Sequence, residues 1–152
     1  MARDSGAEDT WVDKDGVRRV NGDRFWRPFK LALESGSPKL IETALDAVQK
    51  LIAFRYLRGS LYDAKSNTLL INEVVDTVCN CFVSAKTESA VQLQVIKVLL
   101  TAVTSPSCEV HETALLKAVQ TCFNIFLFSR VPTNQVGPPP LCAGSRPGVS
   151  SR

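Results

Sequence analysis

The sequence predicts an all-α fold, an armadillo/HEAT-like α-solenoid of stacked helical hairpins. Three observations predict it. Apolar residues recur at helical spacing from residue 24 to residue 130, without a convincing strand pattern. "INEVVDTVCNCF" (71–82) aligns without gaps on "LLKAVQTCFNIF" (115–126), an offset of 44 residues that matches Val75 to Val119, Thr77 to Thr121, Asn80 to Asn124 and Phe82 to Phe126. The preceding apolar stretches, "ALDAVQKLIA" and "VQLQVIKVLL", lie 47 residues apart. A helical period of roughly 40–47 residues is that of armadillo and HEAT repeats.

The elements follow in order. Residues 1–23 are rich in acids, Gly and Ser and poor in apolar residues, which predicts disorder. "RFWRPFKLALES" (24–35) predicts a first helix with Pro28 in its first turn. Ser37 and Pro38 predict the N-cap and first position of a second helix. Ile41, Ala44, Leu45, Val48, Leu51 and Ile52 form its apolar face, and Gly59-Ser60 its end. A third helix is expected over 68–83 on Ile71, Val74, Val75, Val78, Cys79 and Phe82. Thr87 is the expected N-cap of the fourth, with Val91, Val95, Ile96, Leu99, Leu100 and Val103 buried. "TSPS" (104–107) breaks it. The fifth is expected over 108–128, burying Leu115, Ala118, Val119, Cys122, Phe123 and Phe126. Residues 131–152 are dense in Pro, Gly and Ser and predict a disordered tail, leaving 24–130 as the folded domain.

Composition excludes several classes of function. The 152 residues suit one domain. A hydrophobic fraction of 45% supports a core, and no apolar run reaches the roughly 18 residues of a membrane span. The N-terminus lacks the apolar region of a secretory signal. Net charge is only +3, and residues 25–130 mix eleven Lys/Arg with nine Asp/Glu, so no basic stripe points to nucleic acid. The five cysteines, Cys79, Cys81, Cys108, Cys122 and Cys142, read as reduced thiols, mostly small core residues of a cytosolic protein. Cys79 and Cys81 stand as C-x-C, which lacks the C-x-x-C spacing of a zinc ribbon.

His111-Glu112 begins "HETAL". A zincin needs H-E-x-x-H, two histidines one turn apart on one ion, and here Leu115 fills the fifth position. Cys108 lies three residues before His111, the spacing of a conceivable nucleophile pair. The simpler reading is a helix start whose Glu109 and Glu112 complement the helix dipole. No phosphate-binding Gly-rich loop occurs. The residues therefore point to no catalytic, cofactor-binding or metal site.

"VQLQVIKVLLTAVTS" (91–105) and "EVHETALLKAVQTCFNIFLFSRVPTNQ" (109–135) resemble the N-terminal dimerisation and cyclophilin-binding domain of the large Sec7-type, brefeldin A-inhibited Arf guanine-nucleotide exchange factors. "PFKLALESGSPKLIETALDAVQKLIAFRYLRG" (28–59) resembles the same domain in register, so the similarity spans about 25–135. The resemblance implies a non-catalytic dimerisation and regulatory module of a Golgi exchange factor acting in vesicle transport. It implies pairing with itself or with a related upstream homology box, and contact with an Arf-like small GTPase or a cyclophilin-type prolyl isomerase. It implies no nucleic-acid partner, no cofactor, and a cytoplasmic protein with peripheral, indirect association with trans-Golgi membranes. The catalytic Sec7 domain lies elsewhere in that family. The alternatives are an independent armadillo/HEAT-like adaptor and a small hydrolase.

The resemblance stops at Gln135, where "VGPPPLCAGSRPGVSSR" follows, and the expectation is a truncated domain. Loss of a following repeat would uncover an apolar strip on the last hairpin, with Ile125, Phe126 and Phe128 as candidate interface residues. Hiding large apolar side chains yields roughly 1.5–3 kcal/mol each, so such a strip favours association.

Overall fold

The computed structural model describes residues 10–12, 15–63 and 67–130. Its described residues are all-α apart from two short hairpins. Helix α1 is Trp26–Leu33, α2 is Pro38–Ala53, α3 is Leu70–Asn80, α4 is Ser89–Thr104 and α5 is Glu112–Arg130. Strands β1 (Thr10–Val12) and β2 (Arg18–Val20) pair antiparallel, with Trp11 opposite Arg19. Strands β3 (Tyr62–Asp63) and β4 (Thr68–Leu69) form the second pair, leading directly into α3. The expected tail, 131–152, lies outside the described residues, as do 1–9.

Helix α2 packs along α4, and α3 along α5. Leu45, Val48 and Ile52 of α2 meet a core that includes Val95, Val98 and Leu99 of α4. Ile71, Val74, Val75 and Val78 of α3 share it with Ala114, Ala118 and Ile125 of α5. Helix α1 covers the other flank with Trp26 and Leu33. Lys30 Nζ donates to Glu73 at 2.6 Å, tying α1 to α3, and that hydrogen bond raises the lysine above its ordinary value. Lys117 reaches Asp76 at 2.7 Å and ties α5 to α3.

The N-terminal boundary differs from the expectation of disorder through residue 23. Asp23 is buried, and its carboxylate accepts from the amides of Arg58 (2.8 Å), Gly59 (2.9 Å), Ser60 (2.9 Å) and Leu61 (3.4 Å) and from Ser60 Oγ (3.2 Å). Gly22 N donates to Tyr56 O at 2.7 Å, and Arg58 stacks on Trp11 at 4.1 Å. Polar composition misled here because this segment folds through hydrogen bonds to a distant loop rather than through apolar burial of its own.

The same network ends α2 at Ala53, before the expected stop at Gly59-Ser60. Arg55 takes a left-handed φ of 63°, while Arg55 N donates to Ile52 O and Tyr56 N to Leu51 O. This is a Schellman ending with arginine where glycine is usual. Gly59 has φ +69°, and a Cβ there would lie 2.4 Å from Ile71 Cβ. Only glycine permits that approach, at which Ile71 N donates to Gly59 O (3.0 Å) and starts α3.

Two caps also differ. Ser37 is the N-cap of α2 but makes no side-chain capping bond. The N-cap of α4 is Glu88, not Thr87. Thr87 Oγ1 instead accepts from the amides of Val83 (3.2 Å) and Ser84 (3.4 Å), closing the turn before the helix.

Asp23→Ala takes the acceptor from the buried Gly59 amide and from three part-buried ones at once. We expect a loss of about 3 kcal/mol, read by urea denaturation. A loss under about 1 kcal/mol would show that the loop amides find other partners.

Candidate functional site

Helices α1, α2 and α3 are amphipathic, whereas α4 and α5 carry apolar residues all round. A helix of the latter kind has apolar surface for two neighbours. On α4 the core takes Val91, Val95, Val98, Leu99 and Ala102, and the opposite side shows Leu93, Leu100 and Val103. On α5 the core takes Ala114, Ala118, Thr121 and Ile125. The opposite side shows Leu116, Val119, Phe123, Phe126 and Leu127, at three- or four-residue steps. Both strips point away from the layer of α2 and α3, since α4 packs inward on α2 and α5 on α3.

These eight side chains are 41–68% exposed. They offer on the order of 800 Å², about one side of a standard protein interface. Scattered exposed leucines need no explanation, but exposed apolar side chains set in rows along two neighbouring helices make a candidate surface for an interaction. It is the candidate functional site.

The three expected interface residues divide. Phe126 is 48% exposed and lies on the strip. Phe128 is 46% exposed but sits to one side, its ring 6.0 Å from that of Phe82. Ile125 is 1% exposed and belongs to the core, which corrects its assignment to the strip. At 100° per residue Phe126 and Phe128 lie about 160° apart with Ile125 between them, so the three could not share one face. Leu100, Val103, Val119, Phe123 and Phe126, expected inside, are on the open surface. The signal for this was present as an excess of apolar residues over what one face can bury.

Among the described residues, the thiols and the histidine are not brought together into a reactive site. Cys79, Cys81 and Cys108 are buried and unpaired, and Cys122 is half-buried; Cys142 lies outside the described residues. Cys108 Sγ donates to Leu57 O at 3.6 Å, and burial pushes its thiol up to about 11. Burial does the same to Cys81. A nucleophilic cysteine needs the opposite shift. His111 is exposed on the loop before α5. Among the described residues no group of three His, Cys, Asp or Glu side chains could hold a metal ion. No helix among them is long and apolar enough to cross a membrane.

The family described as the Mon2/Sec7/BIG1-like dimerisation and cyclophilin-binding domain matches residues 12–137. That match starts well before residue 25 and takes in β2 and Asp23, in keeping with the folded N-terminal hairpin. Brefeldin A-inhibited guanine nucleotide-exchange protein 1 of Rattus norvegicus is 45% identical over 123 residues, 80% of this chain and 7% of the relative. The protein of that name from Homo sapiens is 44% identical over 123 residues, with the same coverage of 80% and 7%. Brefeldin A-inhibited guanine nucleotide-exchange protein 3 of Arabidopsis thaliana is 38% identical over 109 residues, 71% of this chain and 6% of the relative. The chain thus spans under a tenth of the length of these relatives.

The thiol shifts carry a pH dependence. A thiol raised above its unfolded value stabilises the fold fully below the unfolded value, and this contribution is lost as pH rises through the folded one. For Cys81 and Cys108 that window runs from about 9 to about 11. We expect Cys108→Ala to flatten the fall in stability across this range, followed by denaturant titration at each pH. We also expect Cys108 in the native protein at pH 8 to resist alkylation that proceeds freely in urea. Rapid native labelling of Cys108 would contradict the burial described.

Proposed function

Because this chain belongs to the Mon2/Sec7/BIG1-like dimerisation and cyclophilin-binding domain family, we propose that it is a non-catalytic docking module. In this reading it serves a Sec7-type Arf exchange factor in vesicle transport at the Golgi. The observation that carries the proposal is the open apolar face of α4 and α5. Helices that are apolar on both sides are built to be covered twice. The core covers one side, and a protein partner covers the other.

The arrangement of helices supports an α-solenoid reading. Helices α3 and α5 hold the two copies of the 44-residue echo, residues 71–82 and 115–126, and they pack on each other. Successive repeats of a solenoid stack in this way, and an end without a polar capping repeat exposes the apolar surface that a further repeat would bury. The open face of α4 and α5 has the character of such an end. A helical hairpin of similar design, from a second copy or from another part of an exchange factor, would complete it. An Arf-like GTPase or a cyclophilin-type isomerase are the further partners that the family's character brings to this chain. The exchange reaction itself belongs to the Sec7 domain, which this chain does not resemble.

Two measurements test this reading. Sedimentation velocity over a dilution series should show self-association of the wild-type chain. The pair Leu116→Ser, Phe123→Ser should abolish it with little change in the melting temperature, since both side chains are more than half exposed. A wild-type chain that stays monomeric and binds no helical segment of an exchange factor would sink the proposal. Nucleotide release from an Arf protein should proceed at its spontaneous rate with or without the chain, and stimulation would contradict a non-catalytic role.

A further inference from the structure

Two Ser-Pro dipeptides occur in the sequence, Ser37-Pro38 and Ser105-Pro106, and no Thr-Pro. Serine followed by proline is the substrate pattern of proline-directed kinases, whose clefts accept a following residue that has no amide N–H. Such an enzyme needs its target serine accessible, on extended backbone, with a hydroxyl free to react. Both serines have the extended backbone that the proline after each requires, φ −89° and ψ 115° at Ser37, φ −71° and ψ 125° at Ser105. They differ in access.

Ser37 stands in the open. Every residue from 34 to 40 is exposed, so a kinase can hold the chain on both sides of it. The Ser37 hydroxyl makes no capping bond, because Ser35 Oγ closes the turn instead, accepting from Ser37 N at 3.3 Å. Ser105 is half-buried in the turn between α4 and α5. Its Oγ accepts from Ser107 N at 3.3 Å, and its carbonyl accepts from Cys108 N at 3.3 Å. Cys108 is buried with its thiol on Leu57 O, which pins this turn to the loop after α2. A kinase could reach Ser105 only after these contacts break.

We propose that Ser37 is a phosphorylation site for a proline-directed kinase, and that the phosphate strengthens the start of α2. The Ser37 hydroxyl oxygen attacks the γ-phosphorus of ATP, the bond to ADP breaks, and the aspartate of the kinase takes the hydroxyl proton. Sequence and access select the residue, and the helix behind it decides the effect. The phosphate brings a charge of about −1.5 to −2 to the first amides of α2, which have no intrahelical partners, and to the neighbourhood of Lys39. Glu34, on the other side of the turn, opposes this in part. The site is separate from the docking face of α4 and α5 and does not depend on it.

The test is incubation of the full chain with ATP and a purified cyclin-dependent or mitogen-activated kinase, followed by phosphopeptide mass spectrometry. Ser37 should take up phosphate with at least one of the two enzymes. Ser105 should lag behind it by roughly tenfold or more, because its turn must first open locally. Ser37→Ala should abolish the labelling, and Ser105→Ala should leave it unchanged. Pro38→Ala should lose it too, although Ser37 stays exposed, and melting curves check that each variant is folded. The phosphorylated chain should melt a few degrees higher than the unmodified one, and Ser37→Asp should reproduce part of that rise. No phosphate on Ser37 with either enzyme, equal labelling of Ser105 in the folded chain, or undiminished labelling of Pro38→Ala would overturn the site. A phosphorylated chain that melts no higher would overturn its effect on α2.

Discussion

One buried carboxylate organises the first half of this domain. Asp23 gathers the amides of residues 58–61, of which that of Gly59 is buried and the others part-buried. A buried charge is costly unless its hydrogen bonds are complete, and the four amides with the Ser60 hydroxyl complete them. The consequences spread outward. The loop held by Asp23 fixes Gly59 against Ile71, and this contact sets where α3 begins. The start of α3 in turn sets Glu73 opposite Lys30 and Asp76 opposite Lys117. The N-terminal turn thus locks the end of α2 and the start of α3 to each other. It does so through hydrogen bonds, leaving the apolar side chains of α2 and α3 for the neighbouring helices.

Helices α4 and α5 obey a different constraint. Their apolar residues exceed one face, so folding of this chain buries half of that surface and leaves the rest open. The choice of which half goes inward is geometric. Small residues, Ala114, Ala118 and Thr121, line the inner side of α5 and let it approach α3 closely. The larger Phe123, Phe126 and Leu127 are turned outward, where there is room for a neighbour to interdigitate. A partner on this side would find large apolar side chains at a spacing that fits another helix.

The sequence by itself determined the helices. Spacing of apolar residues placed all five, and Ser37-Pro38 marked the start of α2. The 44-residue echo links α3 and α5, which the structure packs on each other. Resemblance of the helical motifs was enough to recognise the family. Two things were left to tertiary structure. The role of Asp23 was invisible because its partners lie 35 to 38 residues away, and a polar stretch reads as disorder until those amides are brought to it. The outward face of α5 was also undecided. Periodicity shows that a helix is apolar on more than one side, but it cannot say which side meets the core. Ile125 and Phe126 are neighbours of similar hydrophobicity, and one is buried while the other faces out. The approach of α3 decides between them, through contacts that no local pattern contains.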